Sequence, residues 1–294
     1  MSSSPIAKKM KYALEFLPDE AYIQLYYFAR FHKPCNLRHP RTYNEKLQWL
    51  KLHDRNPAYM GMVDKAEAKR VAARAIGEEH IIPTLAVWDT VDDIDIEDLP
   101  KSFVLKCTHD SEGVVVVPDK GGFDWPAARM KLAAALGRNF YPIGREWPYL
   151  GVRPRVIAET YMEDERFGEL RDYKFFCFDG EPKAMFIASD RGVGATKFDY
   201  FDLEFNRLDI RQHYPNRKGD IERPETFDQM VAAARVLSRG IPHVRIDFYE
   251  ANGRMYFGEY TFYHFSGFVP FDPPEWDETF GSWLSLPTDE GRTL

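Results

Sequence analysis

The residues best suited to chemistry lie late in the chain. Val244-Arg245-Ile246-Asp247-Phe248-Tyr249 is followed, after Ala251-Asn252-Gly253, by Met255-Tyr256-Phe257-Gly258-Glu259-Tyr260-Thr261. Side chains alternate between the faces of a strand, so Arg245 shares a face with Asp247, and Glu259 shares one with Thr261. Whether those faces coincide depends on the turn. A two-residue Asn252-Gly253 turn pairs Asp247 with Gly258 and sends Glu259 to the opposite side. A three-residue turn with Gly253 left-handed pairs Arg245 with Glu259, Glu250 with Arg254 and Phe248 with Tyr256. The second register is preferred, because it joins opposite charges and separates polar from apolar side chains. It yields a face with two carboxylates, an arginine and Thr261. Magnesium takes hard oxygen ligands, typically one or two carboxylates plus phosphate oxygens. An adjacent arginine can neutralise charge on a transferring phosphoryl group. On this segment alone a solvent-facing ion pair, common and worth little, is the plainer reading.

Other segments could serve the same chemistry. Phe103-Val104-Leu105-Lys106 delivers a lysine at a strand end, and Thr108-His109-Asp110-Ser111-Glu112-Gly113 forms a polar turn before a run of valines. Such a turn can aim backbone amides at phosphate oxygens while the lysine supplies a point charge. It is not the GxxxxGK[ST] loop, which disfavours a P-loop nucleotidase. Lys65 stands one residue into a helix after Asp64. Ile157-Ala158-Glu159-Thr160-Tyr161-Met162 reads as a strand entering an open segment, where backbone groups can meet an adenine edge and Glu159 can accept from its amino group. Asp172 and Lys174 share one strand face. A solvated lysine, an ordinary strand exit and a structural ion pair are the plainer readings of these three places.

The elements that must position these groups follow from periodicity. Residues 1–60 read as helical and aromatic-rich, with Asp19 capping one helix. Thr42-Tyr43-Asn44-Glu45 is a capping box opening a second helix, which Asn56-Pro57 ends. Asp64 starts a basic helix to Ile76, stopped by Gly77. Ile81-Ile82-Pro83-Thr84 reads as a short edge strand, 103–107 and 155–158 as strands, and Val114 to Val117 as a buried one. A helix over 127–136 and a hairpin of 172–178 with 184–188 across Asp179-Gly180 follow. Phe227, Met230, Val231, Ala234 and Leu237 stripe an amphipathic helix within 224–239. The proline-rich tail beyond Phe271 reads as irregular.

Composition narrows the classes. A chain of 294 residues, 44% hydrophobic, can bury a sizeable core in one large or two modest domains. A formal net charge of -7 argues against a sequence-independent nucleic-acid partner. Cys35, Cys107 and Cys177 are too far apart for a zinc or disulfide motif, which suits a reducing cytoplasm. No segment reads as a signal peptide or a membrane span.

In order, Asp64-Lys65, Val104-Leu105-Lys106 with its turn, Ala158-Glu159-Thr160-Tyr161-Met162, Arg245-x-Asp247 and Glu259-x-Thr261 resemble the ATP-grasp superfamily. The resemblance implies ATP and magnesium (Mg2+) as cofactors. It puts Lys65 and Lys106 on the phosphates, with His109, Ser111 and Gly113 in the loop above them. It puts Glu159 and Tyr161 at the adenine, Asp172 near the ribose, and Lys174 within reach of ATP. Asp247 and Glu259 become metal ligands, with Thr261 where the superfamily often has Asn, and Arg245 and Lys106 stabilise the transfer. Glu112 departs from the small residue expected in the turn.

Longer strings, among them Asn44-Glu45-Lys46-Leu47-Gln48-Trp49-Leu50-Lys51, Arg171-Asp172-Tyr173-Lys174-Phe175-Phe176 and Gly258-Glu259-Tyr260-Thr261-Phe262-Tyr263, resemble the TupA-like ATP-grasp family. That family is associated with teichuronopeptide and other bacterial surface-polysaccharide biosynthesis. The resemblance implies an α+β fold, two lobes holding ATP between antiparallel sheets, with a helical extension over 1–60 and lobes over 61–158 and 159–294. It implies an ATP-dependent carboxylate-amine ligase acting through an acyl phosphate, amidating a uronic acid or similar group on a small molecule or glycan. Arg191, Lys197, His264 and Ser266 are the substrate-side candidates, and Arg145 with Trp147 a candidate sugar platform. A glycosyltransferase, a glycan kinase on the same site, and a non-catalytic member of the fold are the rival readings.

Overall fold

Helix signals in the sequence are realised where they are local. The structure, a computed structural model, describes residues 11–110, 113–190 and 196–287. Helix α1 (Asp19–Phe31) follows Pro18 without a side-chain cap. Asp19, expected as that cap, instead accepts from Arg55 at 3.4 Å and from the Tyr141 hydroxyl. Helix α2 (Tyr43–His53) has the full capping box between Thr42 and Glu45. After α3 (Ala58–Val63), helix α4 (Lys65–Ile76) is capped by Asp64, which accepts from Ala66 N at 2.8 Å and Glu67 N at 3.2 Å.

Two antiparallel sheets follow. The smaller has the order β1-β4-β2-β3, from β1 (Thr84–Trp88), β2 (Phe103–Cys107), β3 (Val114–Val117) and β4 (Val156–Thr160). One face, with Phe103, Leu105, Cys107, Val156 and Ala158, packs on Leu132 and Ala135 of helix α5 (Trp125–Leu136). Alternation leaves Val104, Lys106, Ile157 and Glu159 on the other face. The larger sheet has the order β10-β9-β5-β6-β7-β8. It is built from β5 (Asp172–Phe178), β6 (Glu181–Ser189), β7 (Lys197–Phe201), β8 (Arg207–Leu208), β9 (His243–Ala251) and β10 (Arg254–Thr261). Its outer face, including Phe175, packs on Phe227 of helix α6 (Phe227–Leu237). The inner face carries Asp172, Lys174, Phe176, Arg245 and Asp247. Part of it is covered by α2 and by helix α7 (Glu275–Trp283), whose Tyr43 and Phe280 rings lie 6.3 and 5.1 Å from Phe176.

Three expectations are corrected. The tail is not irregular: α7 starts directly after Pro273-Pro274, and Phe280 is fully buried. Prolines suit a helix start, where the missing N–H costs no intrahelical bond. Ile81 to Thr84 is not a strand: β1 begins at Thr84, and Ile81 makes only a bridge to Phe257, because Pro83 cannot donate to a ladder. Strand β3 is an edge rather than a buried strand, and Val116 is 55% exposed. Among the described residues, no helix is long and apolar enough to cross a membrane.

Candidate active site

The late hairpin brings its acids together by a route other than the expected one. The turn is the two-residue Asn252-Gly253, with φ of 52° and 70°, and it pairs Phe248 with Phe257 and Tyr249 with Tyr256. That register alone would put Glu259 on the wrong face. The ladder then slips between Phe257 and Glu259, leaving Gly258 as an extra residue, and resumes with Glu259 opposite Asp247 and Thr261 opposite Arg245. Glycine fits closely there, since a Cβ on Gly258 would lie 3.0 Å from the Asp247 carbonyl oxygen and 3.1 Å from the Tyr249 ring.

Asp247 is the hub of this face. Arg245 holds it in a fork, Nε to Oδ1 at 2.7 Å and Nη2 to Oδ2 at 2.8 Å. Lys174, directly opposite on β5, donates to the same Oδ2 and lies 2.8 Å from Asp172 Oδ1. Burial alone would raise the Asp247 carboxyl, but Arg245 and Lys174 outweigh it and hold it below the usual range. Arg245 Nη2 also donates to Thr261 Oγ1 at 3.0 Å and lies 3.8 Å from Glu259 Oε1. Glu259 is the open acid of the pair, with its side chain 41% exposed.

A third group orients Arg245. Gln212 Nε2 donates to the Val269 carbonyl at 2.8 Å, so its Oε1 faces His264 Nε2 at 2.8 Å and the Tyr200 hydroxyl at 3.1 Å. The amide oxygen can only accept, so His264 carries its proton on Nε2. Its bare Nδ1 accepts from Arg245 Nη1 at 2.6 Å. Burial, reinforced by Arg245, pushes the imidazole well below its ordinary pKa and keeps it neutral. His264 leads into a turn in which Phe265, Ser266 and Gly267 are all left-handed, with φ of 49°, 53° and 62°. Two non-glycine residues in that region cost roughly 1–2 kcal/mol each. The turn is held by Gln48 and Lys51 of α2, which donate to the Ser266 carbonyl at 3.0 and 2.7 Å.

The smaller sheet supplies the facing wall. Glu159 receives Lys69 on Oε1 and Lys106 on Oε2, both at 2.6 Å. Burial would raise its carboxyl, yet the two ammonium groups pull it down to about 2. Lys69, expected nowhere as a site residue, also donates to the Ile82 carbonyl at 2.7 Å and the Thr84 hydroxyl at 3.1 Å. Lys65 meets the Asp110 carbonyl at 2.6 Å and so pins the polar turn. Lys65, Lys106, Glu159, Asp172, Lys174, Arg245, Glu259 and His264 line one cavity of about 320 Å³ between the sheets. Tyr249, Phe186, Phe198 and Phe265, none of them anticipated, give it an aromatic side. A larger hollow of about 500 Å³ lies between α4 and β1, with a mostly aliphatic wall and none of the large-sheet acids.

Several expected residues lie elsewhere. His109 is buried and its Nε2 donates to the Arg138 carbonyl at 3.1 Å. Gly113 gives its N–H to Asp110 Oδ1 at 2.7 Å, and a Cβ there would sit 2.6 Å from Cys107 Sγ, so it serves packing. Tyr161 bonds Glu163 at 2.9 Å just beyond β4. Lys197 lies on the strand face opposite Phe198, away from the cavity that Phe198 lines. Ser266 spends its hydroxyl on Glu146. The sugar platform does not form: Arg145 is buried and donates to the Leu14 carbonyl at 2.8 Å, and Trp147 is buried with its Nε1 on the Asp54 carbonyl at 3.0 Å. Ser111, Glu112 and Arg191 lie outside the described residues.

Comparisons with known proteins bear on this arrangement. No curated protein matches the chain. Among solved structures, D-alanine–D-alanine ligase from Bacillus anthracis is 18% identical, with 68% of this chain and 56% of that one covered and a TM-score of 0.39. The chain thus spans little more than half of that ligase's length. D-alanine–D-alanine ligase from Helicobacter pylori is 12% identical, with 84% and 68% covered and a TM-score of 0.45. The D-cycloserine synthetase DcsG is 18% identical, with 70% and 64% covered and a TM-score of 0.40. The model of the TupA-like ATPgrasp family aligns with residues 45–285. The chain belongs to the TupA-like ATP-grasp family, and its two antiparallel sheets with facing lysines and acids are an α+β ATP-grasp fold.

Proposed function

We propose that the cleft binds ATP and uses it to join a carboxylate to an amine. The observation that carries this reading is the meeting, in one cavity, of Lys106 and Glu159 from one sheet with Lys174, Arg245 and Glu259 from the other. Cations on both walls suit a polyphosphate chain, and Lys106 would leave Glu159 to meet it.

The donor set fits magnesium only together with nucleotide. Asp247 Oδ2 accepts two cations and Oδ1 one, so a lone pair remains on Oδ1, while Glu259 is open. Among the described residues, no three metal-binding side chains cluster, so further ligands would come from phosphate oxygens and water. When bound, the ion supplies charge neutralisation at the β- and γ-phosphates. Thr261 serves as a prop for Arg245 in this scheme, because its hydroxyl oxygen already accepts the guanidinium.

Arg245, fixed by Asp247, His264 and Thr261, neutralises charge on the phosphoryl group without reorganising. A substrate carboxylate oxygen bonds to the γ-phosphorus as the bond to ADP breaks. The amine nitrogen then bonds to the acyl carbon, phosphate leaves with the C–O electron pair, and the nitrogen loses a proton. A uronic acid on a bacterial surface glycan, amidated by an amino acid or amino alcohol, is the substrate class the family's association favours. The test is ADP release screened over uronic acids and amines with magnesium. The expected result is release that needs both partners, and a product lighter than their sum by one water. A phosphorylated product, or turnover of a sugar nucleotide without ATP, would overturn the ligase assignment.

A further inference from the structure

Helix α1 turns an apolar stripe outward. Tyr22, Ile23 and Tyr27 are buried. The opposite side carries Ala21, Leu25, Phe28 and Ala29, all exposed and spaced to form one face. Leu25 is 51% exposed and Phe28 57%, and Phe16, just ahead of the helix, is 79% exposed. Single exposed apolar residues are ordinary, but a helical face without a charge is not. The helix's three charged groups, Asp19, Glu20 and Arg30, lie off this face by helical spacing: Asp19 meets Arg55, and Arg30 donates to the Phe268 carbonyl at 3.1 Å.

The segment that continues from α1 is basic. No acid occurs between Glu20 and Glu45, whereas Arg30, Lys33, Arg38 and Arg41 all fall there, in a chain with a net charge of -7. Lys33, Arg38 and Arg41 are exposed, and none forms an ion pair with a described residue. An exposed apolar helical face followed directly in sequence by exposed cations that have no ion pair combines the two features of elements that lie in a bilayer interface, where the stripe enters the headgroup boundary and the cations meet lipid phosphates.

We propose that α1 and the 32–41 segment dock the protein on an anionic membrane surface. An anionic glycan would satisfy the cations but not the stripe, which offers its hydroxyls no hydrogen-bonding group. A bilayer satisfies both. None of these residues lines the inter-sheet cavity, so the proposal stands apart from the ATP reading.

The experiment is co-flotation of the full chain with phosphatidylcholine vesicles, with and without phosphatidylglycerol, at low and high salt. Binding is expected only to the anionic vesicles and is expected to fall with salt. The triple variant Lys33→Gln, Arg38→Gln, Arg41→Gln should bind about a hundredfold more weakly, at about a kilocalorie for each surface cation. Leu25→Ser with Phe28→Ser should also lose binding. Both variants should keep the parent's circular dichroism, because these side chains are exposed. No vesicle binding by the parent, equal binding to both vesicle types, or binding that survives both variants would overturn the proposal. So would retention on a uronic-acid polymer in place of vesicles.

Discussion

Replacing Glu159 by glutamine is the sharpest test of how the small-sheet wall is held. The carboxylate is buried between Lys69 and Lys106, each 2.6 Å away. Glutamine keeps the shape but offers one oxygen and turns an N–H₂ toward an ammonium group. The Glu159 carboxyl falls from 4.5 to about 2, a drop worth about 3 kcal/mol at 1.36 kcal/mol per unit. Lys69 shows that this is not a free gain. Burial pushes its ammonium below the ordinary lysine range, and Glu159 offsets that only in part. Without the carboxylate, two like charges face each other in a buried wall, a loss of about 3–5 kcal/mol when one partner of such a pair is removed. The expected result at neutral pH is therefore a loss of about 3 kcal/mol in urea unfolding followed by tryptophan fluorescence. The sign with pH follows from the direction of the shift. The folded carboxyl binds its proton later than the unfolded one, so its contribution is whole above about pH 5 and fades toward pH 2. The gap between parent and variant should close over that window, and Glu159→Gln with Lys69→Met should regain part of the loss. A gap under about 1 kcal/mol at pH 7, or one that stays constant as the solution is acidified, would refute the account of the wall.

Two further outcomes follow from the opposite wall. Asp247→Asn leaves Arg245 forked to a neutral group and Lys174 with Asp172 alone, so ADP release should fall by about a hundredfold or more, with a stability loss of about 3 kcal/mol; normal turnover would show that the fork has no part in the transfer. Gln212→Leu leaves His264 Nε2–H unpaired and its tautomer unset, a cost of about 1–3 kcal/mol, and should lower kcat more than it raises the KM for ATP, with Gln212→Asn unable to restore it and an unchanged kcat telling against the relay.

What was legible in the sequence was local or alternating. Thr42 with Glu45, and Asp64 before its helix, announce their caps because the partners lie within one turn. The faces shared by Asp172 with Lys174 and by Arg245 with Asp247 follow from a period of two. What was not legible depends on docking. Lys65 and Lys69 stand one helical turn apart, and only the seating of α4 against β1 and β4 decides which of them reaches Glu159. Gln212 enters the site from a connection whose sequence carries no signal for it. His109 and Arg145 look like binding residues because polar residues usually stay wet. Here their partners are the carbonyls of Arg138 and Leu14, distant in sequence. In the hairpin, Asp247 and Glu259 share a face as expected but not through a three-residue turn: the Asn252-Gly253 turn takes its favoured two-residue form, and the slip at Gly258 restores the face.

That slip absorbs one surplus residue. Without Gly258 the unbroken ladder from the Asn252-Gly253 turn would itself set Glu259 across from Asp247, so a shortened hairpin would keep both acids on one side of the sheet. What the surplus residue adds is local bending and twist at the point where the acids meet, and bulges of this kind re-aim a side chain. The hairpin thus sets the direction of the Glu259 carboxylate separately from the side of the sheet on which it stands.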